Sequence, residues 1–555
     1  MAACYGLTQF EFDPVRDLEG YTFWFCDLTH KPRPPRPLDA LVWVDGVAIG
    51  QQFGTEMISV PETKGWDCRL IDGYPYFTVI EAKPEEVPQR EKVFAEKIRP
   101  FLEDWEGQWQ KVIAKWWPIV EEFRAFDLEK ASNLELRLHF EDFFVRVHYH
   151  WRPVHFYMMH PTFGLYGRFA ELCQELLGMD IEDPTFKALI SGFDNRLFNV
   201  NRDLWQLGDR ATELGLGELF LSTKDDKELL SRLEESEAGR KWLEGYHEWL
   251  KVEGWRNIDL WDLTSPSWIE DPSLPLRDIK QAIAKGGAFT LDAQRERLAK
   301  EREEAEKEIL PKVPAEQREF FEKLMRCAQK SSRFSEEHNW YLDQQAAAIG
   351  RRIFLEYGRR FAENGVIDER DDIFFVFPDE MRKASIPMER INLRPYVESR
   401  KKEWASYFEI EPKFSLGDFS KFGEVARKEP IMRVLVSPPR VKPELEADLY
   451  AASTSPGVVE GRANVILRER DLDQLQPGDI LVTMATAVPW TPAFSIISGV
   501  VTNAGGSLAH AVLVAREYGI PAAIGTREAT KKIKTGDRIK VDGDKGAVYI
   551  LEKAA

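Results

Sequence analysis

The strongest periodicity in the chain is helical and sets in at Pro88. From there to about Val120 tryptophans recur at Trp105, Trp109, Trp116 and Trp117, a stripe that predicts a helix burying one aromatic face. Ahead of it the pattern is shorter. Residues 1 to about 80 read as strands and turns: an aromatic run, Phe23–Trp24–Phe25–Cys26, then Lys31–Pro32–Arg33–Pro34–Pro35–Arg36–Pro37, whose prolines predict an extended segment. Leu41–Trp43 and Val47–Ile49, with turns at Asp45–Gly46 and Asp72–Gly73, read as strands and hairpins. Beyond Val120, Leu134–Gly178 is expected to be largely helical, with Pro153 interrupting its hydrogen bonds; on a helix His148 and Arg152 share a face, as do Trp151 and His155. Helices continue over Asp180–Gly254, broken near Gly192, Gly208 and Gly215–Gly217. A highly charged helix runs from Asp292 to about Leu310, Pro311 and Pro314 end it, and a second long helix precedes another at Gln344–Ala362. Periodicity then fades between about Glu411 and Glu446, where Gly417, Gly423, Pro430, Pro438, Pro439 and Pro443 punctuate the chain; this reads as a hinge. The last hundred residues alternate strands with short helices, as a compact α/β unit does.

Composition narrows the class. At 555 residues, 43% of them hydrophobic and 30% charged, the chain has room for several domains with proper cores. A formal charge of −18 without a compensating basic stripe argues against a nucleic-acid partner. No cationic start leads into an apolar run and no stretch is long enough to span a membrane, so the expected location is the cytoplasm. Five scattered cysteines lack CxxC spacing, which fits a reducing compartment without a thiolate metal site.

Candidate chemistry concentrates in three places. His139, His148, His150, His155 and His160 lie among Phe140, Phe143, Phe144, Tyr149, Trp151, Phe156 and Tyr157. A metal site is one candidate, although HExxH and a clean carboxylate partner are missing; the others are an aromatic acceptor pocket in which His148 or His150 removes a proton, and a purely structural core. In the turn-rich stretch that follows, Arg256 is a candidate anion contact or a loop arginine paired with local acids. Near Gln344–Ala362, Arg351 and Arg352 are candidates to clamp a phosphoryl group, Arg352 first, unless they pair with Asp343 or Glu356; His338 is a candidate base or a helix-start residue. The third place is Val501–Thr526. There an apolar strand ends in a polar turn, Gly505 and Gly506 let the backbone approach a ligand, and Ser507 stands three residues before His510 at the start of an Ala/Val/Leu helix. Unpaired amides and the positive end of the helix dipole suit His510 to carrying negative charge.

Those residues carry a resemblance. SPGVVEGRA (Ser455–Ala463), LQPGDILVT (Leu475–Thr483), Pro489–Trp490–Thr491–Pro492, GGSLAHAVLVAREYGIPAAIGT (Gly505–Thr526) and GDRIKVDGDKGAVYIL (Gly536–Leu551) resemble the swivelling phosphohistidine domain of enzymes such as phosphoenolpyruvate synthase and pyruvate phosphate dikinase. The family usually places Ser or Thr directly before its phosphorylated histidine; here Ala509 stands there, so that hydroxyl's hydrogen bond is absent or replaced. Glu336–Asp343 with Gln344–Ala362, and Ile367–Met381, resemble the acceptor region of rifampicin phosphotransferase. The resemblance implies a multidomain α+β protein: residues 1–87 and 88–410 as a largely helical acceptor-binding body, 411–450 as the hinge linker and 451–555 as the mobile phosphohistidine domain. It also implies that Gly505, Gly506 and Arg516 hold the phosphoryl group on His510. No Gly-rich phosphate loop stands ahead of this domain and no phosphoenolpyruvate-binding barrel follows it, so ATP and Mg2+ are expected on a separate ATP-grasp subunit. That arrangement is similar to phenylphosphate synthase and the hydroxyacetophenone kinases, which implies a phenolic substrate within aromatic compound catabolism and a heteromeric complex. The alternatives are a non-phenolic acceptor such as an antibiotic, a phosphate-relay protein, or a metal enzyme built on the His-rich segment; homo-oligomerisation stays open.

Overall fold

Four apolar residues, Phe23–Cys26, form the first strand, β1, and all four are buried. The computed structural model describes residues 23–554, apart from 29, 32, 195, 258–261, 287–289, 389–390, 422, 425–427, 436–445, 468, 487 and 507–508. The expected strands and turns before residue 23, and part of the expected hinge, therefore lie outside the described residues. The chain forms two compact units, one from Met1–Arg168, Trp261–Thr264 and Tyr341–Ser437, the other from Phe169–Leu260, Ser265–Trp340 and Pro438–Ala555.

In the first unit β1 joins β2 (Thr63–Ile71), β3 (Tyr74–Glu81) and β4 (Ser415–Gly417) in an antiparallel sheet of order β2-β3-β1-β4. The Asp72–Gly73 turn connects β2 to β3, with Asp72 and Gly73 both at positive φ. The expectation for residues 41–49 is corrected: Pro37–Ile58 is one helix, entered through Pro37 in its first turn. Gly46, Gly50 and Gly54 recur every fourth residue, which on a helix is one face, and that face meets another helix; a Cβ on Gly50 would stand 2.8 Å from the Arg152 carbonyl carbon. Glycine signalled close packing here and not a turn.

The tryptophan stripe behaves as expected. Val87–Ala125 is helical with a kink at Asp104, and Trp105, Trp109 and Trp116 are buried on it. Ser132 caps Asn133–Asp142 through a capping box with Glu135, and the chain passes through a π-helical turn, Phe143–His148, into the helix Tyr149–Leu177, which holds Pro153 and Pro161 without ending. Gln345–Glu363 is a nearly wholly buried helix. Part of the expected hinge is ordered into this unit: β4 pairs with β1, and Ile431 and Met432 are buried in the helix Pro430–Leu435.

The second unit is helical up to His338 and carries a sheet towards its end. Its helical core gathers Leu204, Phe220, Leu233, Trp242, Tyr246 and Ile279. The sheet comprises β5 (Leu449–Tyr450), β6 (Ala452–Ser455), β7 (Val458–Val465), β8 (Ile480–Thr483), β9 (Gly499–Thr502), β10 (Ala522–Ile524), β11 (Arg538–Asp542) and β12 (Ala547–Glu552). Its order is β5-β12-β11-β7-β8-β9-β10-β6, with β7, β8, β9 and β10 parallel to their neighbours in that run. One face packs Leu481, Val500, Trp490 and Phe494 against the helix His510–Tyr518; the other buries Ile480, Val482, Val501 and Ile539. The architecture is thus a mostly helical body with a carboxy-terminal mixed α/β domain.

Candidate functional site

His510 opens its helix, and Ala509 occupies the cap position at φ −64° and ψ 149° without a side-chain cap bond. The turn before it needs glycine: Gly505 sits at φ 133°, and a Cβ there would lie 2.6 Å from Ile524 Cγ2. Asn503 fixes the end of β9 by donating to Thr530 Oγ1 at 2.7 Å while its own oxygen accepts from the Thr530 amide at 3.0 Å.

Two threonines hold the imidazole. Thr486 Oγ1 lies 2.9 Å from Nδ1 and Thr491 Oγ1 lies 3.1 Å from Nε2, while Phe494 meets the ring edge-on at 6.2 Å. The hydroxyl missing at Ala509 is therefore replaced from a different segment. Thr491 fell within a stretch that carried the family resemblance; Thr486 had no signal of its own, because its proximity to His510 arises only from the β8–β9 crossover. Burial pushes His510 down to about 3, which keeps the ring neutral and its lone pair available at neutral pH. A neutral nitrogen nucleophile at a helix start, beside a glycine turn, is an arrangement that can accept and present a phosphoryl group. Ser507 lies outside the described residues. Gly506 gives its carbonyl to the Ala509 amide at 3.0 Å. Arg516 is in the last turn of the same helix, about 9 Å along its axis from His510 at ~1.5 Å per residue, and its Nη2 lies 3.4 Å from the Thr454 carbonyl.

The other sequence-derived residues separate by unit. In the first, His148 is buried among Phe143, Phe144 and Tyr149, and burial, followed by the Arg152 cation, pushes it down to about 3. His150 is exposed, with Nδ1 donating to the Val145 carbonyl at 2.5 Å. Arg351 is buried, donates to the Leu263 carbonyl at 2.9 Å and stands over Phe374. Arg352 is partly exposed on the same helix. Of the two acids beside this pair in sequence, Glu356 pairs with Arg359 and Arg360, and Asp343 lies against Arg152 and His155.

Around Arg152 the first unit gathers charge that sequence reading missed. Its guanidinium is 3.8 Å over the Trp151 ring and 3.6 Å from Asp343 Oδ1, which accepts from His155 Nδ1 at 2.9 Å. Burial pushes Arg152 down to about 9. Facing it is Asp39, pushed up to about 6 by burial against the pull of Lys31 at 2.5 Å. Together with Val42, Phe143, Trp151 and Leu263 they line a cavity of about 10 Å³, space for about one water molecule. Phe140, Phe143, Phe144, Trp151 and Phe156 of this segment are buried and Tyr149 is exposed, and an organic acceptor does not fit this cavity as it stands. The shared face of His148 and Arg152 was the one available signal; Asp39 and Asp343 arrive from distant segments.

In the second unit Arg256 is buried, bonded to Glu253 at 3.0 Å and stacked 4.4 Å from the Trp340 ring, which Arg196 approaches at the same distance. Local acid pairing, the blander of its two readings, is what the geometry gives. His338 is buried with Nδ1 donating to the Phe334 carbonyl at 2.6 Å. Among the described residues no helix is long and apolar enough to cross a membrane.

Comparison with known proteins places the two halves of this reading. Residues 475–546 match the mobile domain of PEP-utilising enzymes, and residues 155–336 match the rifampicin phosphotransferase fourth domain. His510 lies within the residues that match the mobile domain. It is 29% identical over 72% of its length to an uncharacterized phosphotransferase of Bacillus subtilis, of which it covers 47%. A rifampicin phosphotransferase of Bacillus subtilis is 29% identical over 60% of this chain and 37% of its own. A probable phosphoenolpyruvate synthase of Pyrococcus horikoshii is 46% identical over 19% of this chain and 13% of its own. The chain thus spans less than half the length of these relatives. Among solved structures, one of Enzyme I aligns over 42% of this chain and 66% of that one at 13% identity with a TM-score of 0.15, which supports no argument.

Proposed function

We propose that this chain is a phosphotransferase that carries a phosphoryl group on His510 and passes it to the hydroxyl of an organic acceptor bound by the helical body. The observation that carries the reading is the His510 site itself: a neutral imidazole at a helix start, both nitrogens held by threonine hydroxyls, within the part that matches the mobile domain. The donor is ATP with Mg2+ on a separate ATP-grasp subunit, as the resemblance to phenylphosphate synthase implies. Arg352, partly exposed on its helix, is the proposed clamp for the phosphoryl group at the acceptor side.

For the acceptor, the likeness to rifampicin phosphotransferases supports a non-phenolic compound such as an antibiotic over a phenol. The packed aromatic core around His148 gives the phenolic reading no separate support, and a histidine pushed down to about 3 is a weak proton acceptor. The test combines the chain with a nucleotide-binding partner and ATP. Acid-labile phosphate should form on the protein and vanish in His510→Ala. A panel of rifampicin, phenol and 4-hydroxyacetophenone then reads the acceptor class. Phosphorylated product from His510→Ala would sink the proposal.

A further inference from the structure

We propose that the proline-rich segment 31–37 is a strap that closes the cavity around Arg152 and Asp39, and that its release admits the acceptor to that cavity. This rests on the reading of the helical body as acceptor-binding. The prolines predict an extended segment, and Arg36, at φ −69° and ψ 156°, has the polyproline II geometry they favour. Pro34, Pro35 and Pro37 have no N–H to give to a ladder, so the hold comes largely from side chains of other elements. Trp404 Nε1 donates to the Pro34 carbonyl at 2.9 Å. The Arg36 guanidinium lies 5.5 Å from the centre of the Trp404 ring and 5.7 Å from those of Phe374 and Phe375. Lys31 pairs with Asp39 at 2.5 Å. A cation among three rings holds firmly, yet it leaves no ladder to break when it lets go.

The strap runs into the helix Pro37–Ile58, whose first turn carries Asp39. Asp39 forms one wall of the cavity, and Arg152, Trp151, Phe143 and Leu263 form others. Asp39 and Arg152 are each only 1% exposed, so both charges are held out of water. Buried charges of this kind are poor core material, since apolar side chains of like volume often stabilise a fold as well or better. They suit a ligand: the carboxylate accepts from a hydroxyl and the guanidinium donates to an oxygen. The holding residues and the cavity share their supports. Arg351 donates to the Leu263 carbonyl at 2.9 Å and stands over the same Phe374 ring that Arg36 approaches. Asp39 in turn accepts from the Leu263 amide at 3.1 Å. Lifting Arg36 from its rings therefore loosens Asp39, three residues on, and with it the contact to Leu263. Further along, the helix stays in place, because a Cβ on Gly46 would meet Arg152 Cγ at 3.2 Å and one on Gly50 the Arg152 carbonyl carbon at 2.8 Å. Ahead of that packing lies a helix start, where the Ala40 amide meets the Arg36 carbonyl at 2.8 Å and the amides before it have no intrahelical partner. The moving part is thus the strap and the first helical turn.

The probe is phenylglyoxal, an arginine-selective reagent, applied to the full chain, with the modified arginines read by peptide mass mapping. Arg152 reports opening of the cavity, and Arg256, buried in the second unit beside Glu253, reports general loosening. Arg36→Ala should raise the Arg152 rate about tenfold, the weight of one desolvated cation–π contact. Trp404→Phe, which keeps a ring and drops the bond to Pro34, should raise it about fivefold. Arg36→Lys, which keeps a cation among the rings, should stay within about threefold of wild type. The Arg256 rate should be the same in all of them. Rifampicin added to Arg36→Ala should return Arg152 to its slow wild-type rate. An Arg152 rate that is equal in Arg36→Ala, Trp404→Phe and wild type, or that rises only together with the Arg256 rate, overturns the strap. If the labelling follows expectation but neither rifampicin nor 4-hydroxyacetophenone slows it, the cavity is not the acceptor's site and that half of the proposal falls. Failure of the reading of His510 shows instead as acid-labile phosphate that persists in His510→Ala, an experiment in which this reagent plays no part.

Discussion

A free histidine is half protonated near pH 6.5, but the His510 imidazole is held neutral down to about 3 by its burial. The consequence for chemistry is direct. Phosphorylation of free imidazole by phosphoramidate should weaken about tenfold between about pH 7.5 and 5.5 as the lone pair is protonated, whereas the His510 rate relative to that control should rise by the same factor. A ratio that stays flat across this range would place the histidine in water. Arg152 invites a second prediction of a different kind. It is the buried partner of Asp343 and the roof of Trp151, so Arg152→Met removes the cation beside a buried carboxylate and leaves it to His155. Urea unfolding should report a loss on the order of 3 kcal/mol, less whatever His155 recovers by charging against Asp343. The site was only partly legible for a reason visible in these residues. His510 announced itself because its glycines and helix start are contiguous with it, while Thr486, Asp39 and Asp343 acquire meaning only after chain segments far apart have met.

Helices and strands were legible where one period dominates and misread where two local signals conflict. The tryptophan stripe from Trp105 to Trp116 gave its helix directly, and the charged and arginine-rich segments gave Thr290–Ile309 and Gln345–Glu363. Residues 37–58 misled because Asp45–Gly46 has hairpin chemistry and its flanks are β-branched. The competing signal was the spacing of Gly46, Gly50 and Gly54, which only a helix turns into a single face. This reading has a sign that propensity alone gets backwards. Alanine in place of an exposed helical glycine would add about 1 kcal/mol, yet a Cβ at Gly50 would come to 2.5 Å from Arg152 Cβ and 2.8 Å from its carbonyl carbon, neither of which is the tip of a flexible chain. Gly50→Ala should therefore destabilise, by about 1–3 kcal/mol, and Gly54→Ala, 2.9 Å from the Phe156 carbonyl carbon, should do the same. Gly245, with nothing within 4 Å of its Cβ position, is the internal control that should gain stability as alanine.

Across the whole molecule the buried titratable groups set two opposing slopes of stability against pH. His148, His160 and His510 are each pushed from 6.5 down to about 3, His139 to about 4 and His155 well below 6.5, all mainly by burial, so the unfolded chain binds more protons and stability is lost as pH falls from about 6.5. The buried acids act in the other direction. Burial raises Asp39 from 3.8 to about 6, Glu336 and Glu517 from 4.5 to about 7, and Glu429 from 4.5 to about 8. For these the folded chain holds the extra proton, and stability is lost as pH rises from the ordinary carboxylate range through each raised value. Between about pH 4.5 and 6 the two sets offset each other. Above about 6.5 the histidines no longer contribute, and Glu336, Glu517 and Glu429 remain to pull stability down. Unfolding free energy should therefore be higher near pH 7 than near pH 8, by an amount on the order of 1 kcal/mol. Glu429 dominates the upper end of that window. Its carboxyl accepts the Met432 amide at 2.6 Å and lies 3.3 Å from His160 Nδ1 with no exposure to water, so a Gln there keeps the acceptor and removes the titration. Glu429→Gln should flatten the decline from about pH 7 to 8 while leaving the acid side unchanged. A wild-type midpoint that rises steadily from about pH 6 to 8 would mean that these acids are ionised in the folded chain.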